Sequence, residues 1–142
     1  MTNLRFGIFF GRQILRNQSD MRVIICSDIH EQGVLVAGIV SGLGASVEQV
    51  SCGEELLMRL SRGESCRVVI FVGEYSEEWL FDRVLTLRRE GRISRLYVVS
   101  WCKCIEYSLY MMERRVDQLF CFPLNADRFR RRVASEFDIT YS

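Results

Sequence analysis

Five short runs of apolar, often β-branched residues alternate with five longer segments of helical period, and this alternation leaves few architectures open. The short runs are Arg22–Ser27, Ser46–Val50, Arg67–Val72, Arg95–Ser100 and Gln118–Phe122. Three are continuous rather than alternating: Val23-Ile24-Ile25, Val68-Val69-Ile70-Phe71-Val72 and Leu96-Tyr97-Val98-Val99. A strand with one wet face alternates apolar and polar residues, whereas a continuous run marks a strand covered on both faces. The pattern predicts an α/β fold, a three-layer α/β/α sandwich with a five-stranded parallel sheet in the flavodoxin-like order 2-1-3-4-5 and right-handed crossovers.

The segments between the runs carry helix signals. Gly44 and Gly91 sit where left-handed caps end the first and third helices. Ser76-Glu77-Glu78 supplies a cap and first-turn acids for the third. Asn125 caps the fifth, whose Phe129, Val133 and Phe137 share one face. In the fourth, about Lys103–Arg115, Ile105, Leu109, Met112 and Val116 recur at helical spacing and are expected to face the sheet. Tyr107, Tyr110, Met111 and Arg114 then lie opposite, in solvent. Those residue types are enriched in interface cores, which makes them the candidate contact surface.

A chain of 142 residues suits one domain. The expected division is an N-terminal extension over 1–20, the α/β domain over 21–138 and a tail over 139–142. The apolar stretch Leu4–Arg12 carries Arg5 and Arg12 near its ends and is too short to span a bilayer. It also lacks a signal-peptide cleavage site. The net charge of +1 gives no global attraction to nucleic acid or to an acidic membrane. Arg128, Arg130, Arg131 and Arg132 are a local exception, read as a patch for an acidic protein partner rather than for phosphates. Six cysteines, at 26, 52, 66, 102, 104 and 121, fall mostly in or beside apolar runs, as reduced thiols of a cytoplasmic protein do. Cys102 and Cys104, with His30 the single histidine, do not make a zinc spacing. No metal, cofactor or catalytic residue is expected. Gly42-Leu43-Gly44 ends a helix rather than opening one, so it is no dinucleotide fingerprint.

Taken in order, Ile24-Ile25-Cys26-Ser27-Asp28, Arg67–Val72, Arg95–Ser100 and Gln118–Pro123 resemble the receiver domains of bacterial response regulators. Gly53-Glu54-Glu55-Leu56 resembles the segment that opens their second helix. The resemblance spans about Met21 to Phe137. It implies a site of two acids after the first strand, a phosphoacceptor Asp ending the third, a Ser or Thr ending the fourth and a Lys before a cis Pro after the fifth. Here those positions hold Ser27 and Asp28, Val72, Ser100, and Phe122 before Pro123. The resemblance also places Leu119 at the family's aromatic switch position. Magnesium wants several oxygen ligands, and only Asp28 keeps its carboxylate. The expectation is therefore a degenerate receiver-like domain that works without phosphoryl transfer. It would bind a protein partner or itself, as a homodimer through the face made by its fourth helix, fifth strand and fifth helix, either as a stand-alone adaptor or as the N-terminal domain of a transcription regulator. Glu74, two residues past the acceptor position, reads either as a fixed stand-in for phosphoryl charge or as a solvated loop acid, and Asp28 as a possible helix cap.

Two alternatives come from other classes. One is a small-ligand-binding regulatory domain with its ligand above the strand ends. The other is a phosphotransfer enzyme of IIB type with Cys26 as nucleophile at a helix N-terminus. The nearby carboxylates of Asp28 and Glu31 would repel its thiophosphate, and Gln32 stands where the phosphocysteine phosphatases need Arg.

Overall fold

A computed structural model of the chain describes residues 21–61 and 63–137. The expectations for the extension over 1–20 and the tail over 139–142 lie outside the described residues. The elements alternate as the sequence predicts: β1 (Arg22–Ser27), α1 (His30–Ser41), β2 (Ser46–Val50), α2 (Gly53–Leu60), β3 (Cys66–Val72), α3 (Glu78–Arg89), β4 (Ile93–Ser100), α4 (Ile105–Glu113), β5 (Gln118–Cys121) and α5 (Ala126–Glu136). The strands form one parallel sheet in the order β2-β1-β3-β4-β5.

Continuous apolar runs work here because both sheet faces are covered. Successive side chains point to opposite faces. Ile24, Cys26, Val69, Phe71, Leu96 and Val98 pack with Leu56 and Leu60 of α2, Leu80, Phe81 and Val84 of α3 and Met111 of α4. Val23, Ile25, Val68, Ile70, Val72, Tyr97 and Val99 pack on the other side with Val36, Ile39 and Val40 of α1 and Phe129 and Val133 of α5. Fully burying one such side chain is worth about 1.5–3 kcal/mol, so two continuous cores supply the main driving force.

Several terminators behave as expected. Gly44 and Gly91 have φ of +86° and +77°, and Asn125 Oδ1 accepts the Arg128 N–H at 3.0 Å to cap α5. The third helix differs from its expected start. Glu77 precedes it and makes no side-chain cap, so the Ser76 hydroxyl does not do the capping. Asp117 holds the β4–β5 edge in register. Its carboxylate accepts the Leu96 N–H at 2.8 Å and pairs with Arg88 of α3 at 3.2 Å.

The larger correction is the rotation of α4. Ile105, Leu109 and Met112, expected against the sheet, are 73%, 54% and 69% exposed. Met111, expected in solvent, is 1% exposed and belongs to the core, and Tyr107 and Tyr110 pack against that core half-buried. Val116 does pack inward as expected. The helix is apolar on both faces, so counting apolar residues chose the wrong one. Tyrosine satisfies both demands of the inner face: its ring packs and its hydroxyl finds a backbone acceptor. Tyr107 donates to the Tyr75 carbonyl at 3.2 Å and Tyr110 to the Ser76 carbonyl at 2.6 Å. Arg114 lies 4.1 Å over the Tyr110 ring and ion-pairs with Glu78. The four residues read as a contact surface are thus an internal latch, tying α4 to the β3–α3 loop and to the start of α3.

Candidate functional site

Parallel strands that end together bring the ends of β1, β3, β4 and β5 to one edge of the sheet. Ser27 is in register with Val72, Val72 with Val99, and Ser100 with Cys121. The Phe122 N–H donates to the Ser100 carbonyl at 2.9 Å, and the Phe122–Pro123 bond is cis, as the resemblance implied. The positions singled out in the sequence, Ser27, Asp28, Val72, Ser100, Phe122 and Pro123, therefore converge.

What converges is mostly apolar or already satisfied. Val72 is fully buried in the core shared with α1 and α5, and Phe122, 3% exposed, belongs to the same core. The Trp101 ring stacks on Phe122 with centroids 4.9 Å apart and 26° between planes, and roofs it while staying half exposed. Ser27 is buried and donates its hydroxyl to the Ile29 carbonyl at 2.6 Å. Ser100, also buried, accepts the Cys102 N–H at 3.1 Å. Both hydroxyls are engaged within their own loops.

Asp28 is exposed and caps no helix: Ile29 is the residue before α1, and no side chain caps that helix. Its carboxylate lies against the backbone of Gly73, with Oδ1 2.9 Å from where a Cβ on that residue would stand. Gly73 has φ +136°, a conformation that a side chain would strain, and donates its N–H to Val99 at 2.8 Å. The backbone conformation is what favours glycine directly after the acceptor position, since the exposed Asp28 carboxylate is free to swing aside. Glu74 beyond it is exposed. Among the described residues no group of three or more His, Cys, Asp or Glu is placed to hold a metal ion. The receiver's magnesium does not fit this donor set: Asp28 brings one carboxylate, Val72 and Phe122 offer no oxygen, and a hard cation needs more oxygen ligands than that.

Cys26 is unsuited to the nucleophilic role. It is fully buried, and burial pushes its thiol up to about 12. Its Sγ lies 3.5 Å from the Tyr75 hydroxyl, and the Tyr75 ring stacks on Phe71 at 4.8 Å, closing that side. The thiolate is the nucleophile, and this thiol stays protonated and out of reach. Cys26 is a core residue at the end of β1. Sequence reasoning missed Trp101, Tyr75 and Gly73. An aromatic directly after the fourth strand was the available signal for Trp101.

The feature left in solvent is the outer face of α4. Ile105, Leu109 and Met112 lie at i, i+4 and i+7, and half-exposed Trp101 precedes them in the loop from β4. Glu106 and Glu113 are exposed on the same helix. Across the β5 edge, Arg128 and Arg131 of α5 are exposed and form no ion pair among the described residues.

No known family profile matches this chain, and no curated protein matches it. Solved structures do. A CheY-like response regulator receiver domain protein from Methanospirillum hungatei JF-1 superposes with a TM-score of 0.70 at 17% identity, over 84% of this chain and 94% of that one. A response regulator from Thermotoga maritima gives 0.70 at 16% identity, over 84% and 98%. A protein assigned to pilus assembly in Burkholderia thailandensis E264 gives 0.65 at 16% identity, over 81% and 98%. The fold is that of a receiver domain. At these identities the likeness establishes the receiver fold and leaves the chemistry to the residues present. Among the described residues, no helix is long and apolar enough to cross a membrane.

Proposed function

We propose that this chain is a regulatory domain with a receiver fold that works without phosphoryl transfer and signals by protein contact through the outer face of α4. The observation that carries the reading is the stripe Ile105, Leu109 and Met112, left more than half exposed on a helix whose other face is already packed. Helices of soluble domains normally put charge on such a face, and a clustered apolar stripe marks a contact site. The occupant is a second copy of the chain. Glu106 beside the stripe and exposed Arg128 and Arg131 on α5, which form no ion pair among the described residues, are complementary halves, and a two-fold dimer supplies each half twice. Such a contact suits equally a stand-alone adaptor and the regulatory domain of a transcription regulator.

The absence of phosphoryl chemistry is argued from Val72 and Phe122. A buried valine offers no oxygen to the phosphoryl group, and a phenylalanine offers no cation to its charge. Incubation of the full chain with acetyl phosphate and magnesium, read by intact mass spectrometry, tests this. The expected spectrum is unchanged. A stable, stoichiometric phosphoryl adduct mapped to Asp28 or Glu74 would overturn the reading.

A further inference from the structure

The four residues between β4 and α4 hold a pair of thiols that the reading above does not use. Cys102 and Cys104 are free, with their sulfurs 3.2 Å apart. Residues two apart in extended backbone point the same way, and Cys104 is extended, with φ −77° and ψ 151°. A disulfide is about 2.0 Å long, so closure asks the sulfurs to move together by roughly 1 Å. Cys104 is exposed and Cys102 partly buried, so a small oxidant meets Cys104 first and its neighbour's sulfur lies within reach. The remaining thiols are worse placed. Cys26 and Cys66 are buried, and exposed Cys52 makes no bond to another thiol among the described residues. Cys121 is half-buried, and its thiol points at the Cys102 carbonyl at 3.7 Å.

The pair also sits where a bond would be felt. Cys104 directly precedes α4, and its carbonyl accepts the Ser108 N–H at 3.2 Å and hydroxyl at 3.4 Å. The Cys102 N–H is held by Ser100 Oγ at the end of β4. Trp101, between Ser100 and Cys102, is the ring that roofs Phe122. One covalent bond would therefore tie the end of β4 to the first turn of α4 and restrict Trp101 and Ile105, where the exposed stripe begins.

We propose that Cys102 and Cys104 form a dithiol–disulfide modification site, oxidised by a peroxide, that resets the start of α4. Resting on the contact reading above, it regulates the α4 face. One thiolate attacks a peroxide oxygen, the O–O bond breaks, and water leaves after protonation, giving a sulfenic acid. The second thiol attacks that sulfur, the S–S bond forms and a second water leaves. With hydrogen peroxide, two thiols are oxidised and one peroxide is reduced to two waters. A thiol reductant reverses the bond.

The test uses the full chain, reduced, freed of reductant and treated with hydrogen peroxide in small excess. Peptide mapping is expected to find the loss of two hydrogens within the peptide holding Cys102 and Cys104, restored by dithiothreitol. In Cys104→Ser, a dimedone-trapped sulfenic acid at Cys102 should replace that loss. Hydrogen exchange of the first turn of α4 should change severalfold on oxidation in the wild type and not in Cys104→Ser. A bond mapped to any other pair, or Cys52 oxidised ahead of these two, would overturn the site. Unchanged exchange in a protein shown to carry the bond would overturn the coupling. Failure of the contact reading is separable: the disulfide would form as expected while substitutions on the α4 stripe left association untouched.

Discussion

Cys26 and Cys66 hold their protons far above the ordinary thiol value of 9.0, mainly because burial penalises the thiolate. The unfolded chain exposes both and lets them ionise near pH 9, while the folded chain keeps them protonated to about 12. Their contribution to stability is therefore intact below pH 9 and falls as pH rises towards 12. By pH 10 the loss should reach about 1 kcal/mol for each thiol. Urea unfolding at pH 8, 9 and 10 checks this, with Cys66→Ala expected to lose about a third of the pH slope, because Tyr75, Tyr97 and Tyr107 also resist ionisation when folded. A flat profile would mean that these thiols are hydrated. At the same scale, Val72 and Phe122 are packed in the core below the sheet edge, and the Trp101 ring stacks on Phe122.

At the scale of the element, α4 separates two accounts by a single step in the sequence. Met111 is buried and Met112 exposed. Met111→Ala should cost about 2–5 kcal/mol as a core cavity, and Met112→Ala should stay within about 0.5 kcal/mol as a surface change. Chemical denaturation of the two variants decides the rotation of the helix, and the reverse order would restore the first reading of the sequence. Tyr110→Phe should cost about 1 kcal/mol through its hydrogen bond to Ser76. The same helix shows what the sequence could and could not carry. Strand positions were legible, because a continuous run such as Val68–Val72 has one stable place, a strand covered on both faces. The convergence of Ser27, Val72, Ser100 and Phe122 followed once the strand order was fixed. The α4 face was not legible, because Ile105-Leu109-Met112 and Tyr107-Tyr110-Met111 are both apolar stripes at helical spacing. What decides between them is a pair of carbonyl groups in the β3–α3 loop, remote in sequence, that accept the tyrosine hydroxyls. The more apolar stripe was free to face outward, where a partner can cover it.

For the whole molecule, the claim is that one exposed face does the work a phosphorylation site does elsewhere on this fold. α1 offers a natural control, since Val34 and Leu35 are also about half exposed, at 48% and 52%. Sedimentation velocity over a concentration series should show the wild-type chain in a monomer–dimer equilibrium. Leu109→Glu with Met112→Glu should weaken that equilibrium at least ~10-fold, a change of about 1.4 kcal/mol, with the circular dichroism spectrum preserved because neither side chain is in the core. Val34→Glu with Leu35→Glu should sediment as the wild type. A wild type that stays monomeric throughout, an α4 variant that associates as before, or an α1 variant that alone becomes monomeric would contradict the account.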